Sequence, residues 1–183
     1  VPYDWFCELE SERGGRFLDE LPMFGYIPRK ETPENPQGLP VGFVKDVVRD
    51  QPWVGLNCAA CHTALIEHEN LAYLIDGGPG LGDLEGLQRA LVAALKATRV
   101  DEERFARFAK ALKVADAVEQ AKLKEGLKRI EDKRAAYIGR NLPKDDAHRY
   151  GFGRVDAFGA IRNEVTVRFI DVVPDPTQYT VTN

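Results

Sequence analysis

Five consecutive residues, Cys58-Ala59-Ala60-Cys61-His62, constrain this chain more than any other feature, because they put two thiols and an imidazole on one short stretch of backbone. A C-x-x-C-H run is the attachment pattern of a c-type haem, in which the thiols add across the porphyrin vinyl groups and the adjacent histidine binds the iron. Residues three apart share a helix face. The spacing therefore predicts a short helix over 57–65 that carries one covalent haem c through Cys58 and Cys61, with His62 as the proximal iron ligand. A zinc centre would need four ligands, and Cys7, His68 and His148 are too scattered to supply a second pair. A thioredoxin-like dithiol would need a strand entering the motif within a βαβ pattern, which the proline-rich surroundings oppose. Thioether bonds of this kind are made on the far side of the bacterial inner membrane, so the motif also predicts a periplasmic or otherwise extracytoplasmic protein.

The rest of the chain reads as a mainly α, cytochrome-c-like helical haem domain with a long irregular N-terminal wrap and a minor β-hairpin. Over 1–52, Pro22, Pro28, Pro33, Pro36 and Pro40 break any long helix. The aromatics Tyr3, Trp5, Phe6, Phe17, Phe24, Tyr26 and Phe43 are too many for a solvated linker, so the wrap is expected to pack on a haem domain spanning 53–183. Residues 66–76 alternate as a small hairpin turning near Glu69 and Asn70. Asp83 and Asp101 read as N-caps of helices whose apolar stripes are Leu84, Leu87, Leu91, Leu95 and then Phe105, Phe108, Ala109, Leu112. A longer amphipathic helix is expected over 114–139, a last one over 150–163, and an extended segment over 165–173.

A formal net charge of -4 gives no basic face for nucleic acid. Nor does any apolar run approach the roughly 20 residues needed to cross a bilayer, so no transmembrane segment is expected. The start at Val1 reads as processed or excised, and Cys7 as a small buried hydrophobe.

Function turns on the sixth iron ligand, since an electron carrier keeps iron six-coordinate and catalysis needs an open position. Met23 precedes the motif and reads as core, and His68 falls at a hairpin tip. His148 is the remaining distal candidate, while Trp53 and Leu56 could wall the cofactor, Arg154 could pair with a propionate and Asp76 could fix the glycine turn. Phe152 and Phe158 read as core or as shields of a distal pocket.

Four segments in order, Pro2-Tyr-Asp-Trp-Phe6, Gly55-Leu-Asn-Cys-Ala-Ala-Cys-His-Thr63, Ile75-Asp-Gly-Gly-Pro79 and Gly151-Phe-Gly-Arg-Val-Asp-Ala-Phe-Gly159 with Asn163, carry a resemblance. Together they resemble the di-haem cytochrome c peroxidase-like proteins that include the rubber oxygenases. The resemblance implies two haems on one polypeptide, of which this chain, with one motif, corresponds to the N-terminal haem half. It also implies dioxygen binding at this haem, and a redox partner or a second haem-bearing chain or domain. The reading is thus the haem-bearing part of a di-haem oxidoreductase, peroxidase- or oxygenase-like, with a non-catalytic electron-transfer subunit of a larger assembly as the alternative.

Overall fold

The structure is a computed structural model, and it describes residues 1–144 and 146–170. It corrects the mainly α expectation. Two antiparallel two-stranded sheets flank the cysteine motif, β1 (Phe43–Val48) with β2 (Gln51–Leu56) and β3 (Thr63–His68) with β4 (Leu71–Asp76). The fold is mixed α/β, with helices α1 (Tyr3–Glu8), α2 (Leu84–Val100), α3 (Glu102–Ala111), α4 (Ala117–Asn141) and α5 (Ala157–Phe169).

The motif is the centre of the correction. No helix spans 57–65; a single 3-10 turn, Cys58–Ala60, is capped by Asn57, and strand β3 begins at Thr63. β-branched Thr63 and Ile66, on either side of Ala64 and Leu65, favour extended backbone once β4 is there to pair with them. The hairpin expected near Glu69 and Asn70 is present, with Leu65 opposite Leu74 and Ile66 opposite Tyr73.

The first hairpin straddles the expected boundary between a wrap and a haem domain, since Asp46 pairs with Trp53. Pro52 is tolerated because it stands beside the turn of a two-stranded sheet, where its missing N–H costs little. Arg49 and Asp50 carry φ of 52° and 62°, the double left-handed geometry that matches hairpin twist. The 1–52 region is also more regular than a wrap, containing α1 and a 3-10 segment, Phe17–Phe24.

One core joins all of this. Phe6, Leu9, Phe17 and Leu21 from the N-terminal region pack in the same cluster as Leu87, Leu91 and Leu95 of α2, Phe105 and Phe108 of α3 and Leu127 of α4. Trp5 stacks edge-on to Phe108 at 6.1 Å between ring centroids. Its ring tip fills the space where Gly126 lacks a side chain, only 2.7 Å from an ideal Cβ there. Arg107 adds a two-point pairing to Glu10 at 2.6 and 2.9 Å.

Asp83, Asp101 and Asp116 cap α2, α3 and α4 by accepting from backbone N–H groups in each first turn. The final helix starts later than the sequence pattern suggests. Gly151 and Gly153 have φ of 73° and 68°, which is incompatible with helix, and Asp156 caps α5 through the Gly159 N–H at 2.7 Å. Residues 165–169 are helical rather than extended, tied to α4 through the Arg140 pair with Glu164 at 2.9 and 3.0 Å. Residues 171–173 of the expected extended segment lie outside the described residues.

Candidate functional site

The cysteine turn is built by four local hydrogen bonds, one of them from the Ala60 N–H to the Asn57 carbonyl (3.1 Å). Asn57 Oδ1 accepts from the Ala59 N–H (3.0 Å), while the Cys58 carbonyl accepts from the N–H groups of Cys61 (3.2 Å) and His62 (2.8 Å). These bonds bring the two sulfurs close enough to interact. Both are free thiols, Cys58 exposed and Cys61 half-buried. Burial raises the Cys61 pKa, and the neighbouring Cys58 raises it further. His62 is exposed beside them.

Loops remote in sequence clamp this turn, and glycine makes each clamp possible. Gly42, at φ +81°, lies so close to Ala60 that an added Cβ would stand 2.0 Å from its nitrogen, and its carbonyl accepts from the Asn57 N–H at 2.9 Å. On the other side the Gly80 N–H donates to the Cys61 carbonyl (2.8 Å) and the Gly77 N–H to the His62 carbonyl (2.9 Å). Gly82 leaves room for the Tyr26 ring, 2.8 Å from an ideal Cβ. Burial raises the Tyr26 pKa, with the Cys61 sulfur as the next cause. The turn's backbone is therefore tied down from both sides while Cys58 and His62 face solvent.

A third layer arrives from the C-terminal end. Gly153 donates its N–H to the Gly82 carbonyl (3.3 Å), and its own ideal Cβ would stand 3.2 Å from the Gly80 oxygen. Glu85 fixes the approach of this loop. Only 2% exposed, it accepts from the Tyr150 N–H (2.8 Å) and Arg89 Nε (2.9 Å), and Arg149 stands 3.8 Å away. Glu85 was not singled out from the sequence, where it reads as an ordinary first-turn acid. Its partner Tyr150 is 65 positions away, so no local pattern marks it.

An apolar groove of about 510 Å³ opens beside the motif, lined in part by Tyr26, Ile27, Thr63, Leu65 and Leu81. Leu81 is 67% exposed at its edge and Phe152 packs against Gly25 nearby. Thr63, 2% exposed, lines the same groove, and its Oγ1 has no hydrogen-bond partner among the described residues. A buried hydroxyl of this kind costs about 1–3 kcal/mol unless something satisfies it.

These residues fit a covalently held haem. Two unpaired thiols and an accessible imidazole share one rigid turn, beside an apolar groove suited to a flat hydrophobic ring and a hydroxyl that needs a partner. Among the described residues no three His, Cys, Asp or Glu side chains converge on a point that could hold a bare metal ion. The donor set offers separate attachment points, not a chelate.

The remaining sequence candidates are dispersed. Arg154 is exposed and follows directly on Gly153, so the fold brings it beside the loop that clamps Cys61. Trp53 goes elsewhere: it bridges to Pro2 and lines a groove bounded by α4. Asp76 pairs in register with Thr63 at the base of the second hairpin. His148 is exposed in a one-turn 3-10 segment, Asp146–His148, next to the Arg149 that faces Glu85. His68 sits at the exposed hairpin tip, 3.9 Å from Glu69. Met23, expected in the core, is instead 54% exposed with its sulfur 3.9 Å from Arg13. The proline after Leu21 keeps that segment in a short 3-10 form that turns Met23 outward. Leu56 and Phe158 are exposed, and Cys7 is buried against Tyr3 with its thiol pushed up to about 11 by burial.

The chain is 37% identical over 193 aligned positions to the uncharacterized protein y4iJ of Sinorhizobium fredii (strain NBRC 101917 / NGR234). The alignment covers 90% of this chain and 31% of that protein, so the chain spans about a third of the length of the curated relative it matches. No described family matches the chain. No solved structure matches it either. Among the described residues no helix is long and apolar enough to cross a membrane.

Proposed function

We propose that this chain is the haem-bearing part of an extracytoplasmic, bacterial di-haem oxidoreductase, with haem c attached at Cys58 and Cys61 and His62 as the proximal ligand. One observation carries the reading: two free thiols and an exposed imidazole are held on a single capped turn whose backbone is locked from both sides. Attachment balances without an oxidant. Each S–H adds across one vinyl C=C, forming a C–S bond and leaving its hydrogen on the neighbouring carbon, so the cysteines must be thiols at that moment. Bound there, the haem supplies an iron that cycles between ferric and ferrous states.

The protein's own groups then do the rest. Gly42, Gly77 and Gly80 keep the turn from shifting, so the His62 backbone holds one position. Leu65, Leu81 and Tyr26 exclude water from one side, and Thr63 Oγ1 can donate into the groove. Met23 lies against Arg13 and His68 against Glu69 at a hairpin tip, which supports catalysis over simple electron transfer as the chemistry a bound haem would supply here. The length of the S. fredii relative beyond the aligned region leaves room for a second haem domain in a protein of that kind.

The test is expression in a cell competent for c-type haem maturation, followed by peptide mass mapping. The 58–62 peptide should carry one porphyrin, and Cys58→Ser with Cys61→Ser should carry none. A bare wild-type peptide refutes the proposal. A high-spin ferric spectrum that changes on adding carbon monoxide after reduction supports the catalytic form, and a low-spin, ligand-inert spectrum overturns it in favour of electron transfer.

A further inference from the structure

A second surface, unrelated to the thiols, has a charge pattern at odds with the rest of the molecule. Along α4, Arg129, Lys133, Arg134 and Arg140 recur so as to line one groove of about 640 Å³, which Arg168 of α5 closes. Five cationic side chains meet one carboxylate there, Glu164, in a chain whose formal net charge is -4. Glu164 is already occupied by the two-point pairing with Arg140 and by Arg168 at 3.8 Å. Arg129, Lys133 and Arg134 have no carboxylate partner among the described residues; the nearby acids Glu131 and Asp132 are taken by Arg99 and Lys128.

Like charges gathered in a concave surface repel one another and are held at a cost that an anionic partner would remove. The groove also contains Trp53 and Tyr137, and Trp, Tyr and Arg are the residue types that dominate protein-binding energetics. From Arg129 to Arg140 the helix rises only about 16 Å, which suits a few carboxylates better than a tract of duplex phosphates. Exposed Arg129 and Lys133 stand at the rim, half-buried Arg134 within.

We propose that the groove between α4, α5 and Trp53 is the docking surface for an acidic segment of a partner protein. The carboxylates pair with Arg129, Lys133 and Arg134 while Trp53 and Tyr137 cover the apolar stems. This inference does not rest on the haem reading.

A fluorescein-labelled hexaglutamate peptide is the probe, titrated at low salt and followed by anisotropy and by Trp53 emission. Saturable binding should weaken at least tenfold in the exposed-site double variant Arg129→Glu with Lys133→Glu, whose folding is checked by circular dichroism. Lys96→Glu, an exposed lysine on α2, should change it less than twofold, and Trp53→Phe should abolish the emission change and weaken the binding read by anisotropy. Should the double variant misfold, Lys133→Gln alone should still weaken binding about threefold. Absence of binding, equal loss in Lys96→Glu, or tighter binding to phosphatidylglycerol vesicles or single-stranded DNA than to the peptide would overturn the assignment.

Discussion

Replacing Gly42 by alanine tests whether the cysteine turn is held from outside. Gly42 and Gly77 share nearly the same backbone conformation, φ +81° and +82°, and both precede or follow the motif in loops that hydrogen-bond to it. Placing an L side chain in that region costs roughly 1–2 kcal/mol at either site. At Gly77 nothing lies within 4 Å of the new Cβ, so the conformational cost is the whole effect. At Gly42 the Cβ would stand 2.0 Å from Ala60 N, 2.3 Å from its Cα and 2.6 Å from its Cβ. Two of those atoms are backbone, which cannot swing aside, and overpacking of that kind adds roughly 1–3 kcal/mol. The sum is about 2–5 kcal/mol for Gly42→Ala against about 1–2 kcal/mol for Gly77→Ala. In a domain of this size each kcal/mol lowers the melting temperature by roughly 2–4 °C. Thermal melts followed by circular dichroism in one buffer should separate the two variants clearly. Alkylation of Cys61 should also accelerate in Gly42→Ala alone, because only there is Ala60 forced to move. If the two variants melt together and Cys61 reacts at the wild-type rate in both, the clamp does not exist.

Two further outcomes follow from the charges and thiols. In the haem-free chain, iodoacetamide at pH 8 should label Cys58 first, Cys61 more slowly and Cys7 last, since burial raises the latter two and holds Cys7 near 11; peptide mapping that finds Cys7 labelled first would contradict the packing of α1. The hydrogen bonds from Arg107 hold the Glu10 carboxyl below its ordinary 4.5. A depressed folded value means the contribution is complete above the unfolded range and disappears as pH falls through the folded one. Glu10→Gln should therefore cost a few tenths to about 1 kcal/mol near neutrality, as for a largely exposed pair, and nothing once Glu10 is protonated. Urea midpoints taken stepwise downward from pH 7 measure this, and a loss that never shrinks as pH falls would mean the residue acts by packing.

Contiguous features of this chain were legible in its sequence, and features assembled from distant segments were not. Cys58, Cys61 and His62 fall within five residues, so the sequence alone shows that two thiols and an imidazole share one short stretch of backbone. The outer part of the second hairpin was legible in 66–76 because its segments turn around a polar tip, α2 and α3 because each begins at an aspartate cap, and α4 because its apolar positions recur among charged ones. The first hairpin was hidden by Pro52 and by an Arg-Asp turn where glycine or asparagine would ordinarily announce left-handed backbone. The motif's own conformation was misread because a three-residue cysteine spacing satisfies a 3-10 turn as readily as a helix, and the strand beyond it depends on pairing with β4. Gly42, Gly80, Tyr26 and Glu85 matter only through contacts that cross from 15 to 73 positions of sequence. Nothing near them in the chain gives that away.

Trp5 seated against Gly126 has a consequence for how the protein is made. The N-terminal aromatics leave the ribosome about 120 residues before the glycine that receives them, an interval on the order of ten seconds at about 5–20 residues per second. During that time Trp5 lacks the α4 face that receives it, although Phe6 already has Phe17 and Phe43 to pack on. The N-terminal part therefore cannot complete its packing until α4 has been synthesised.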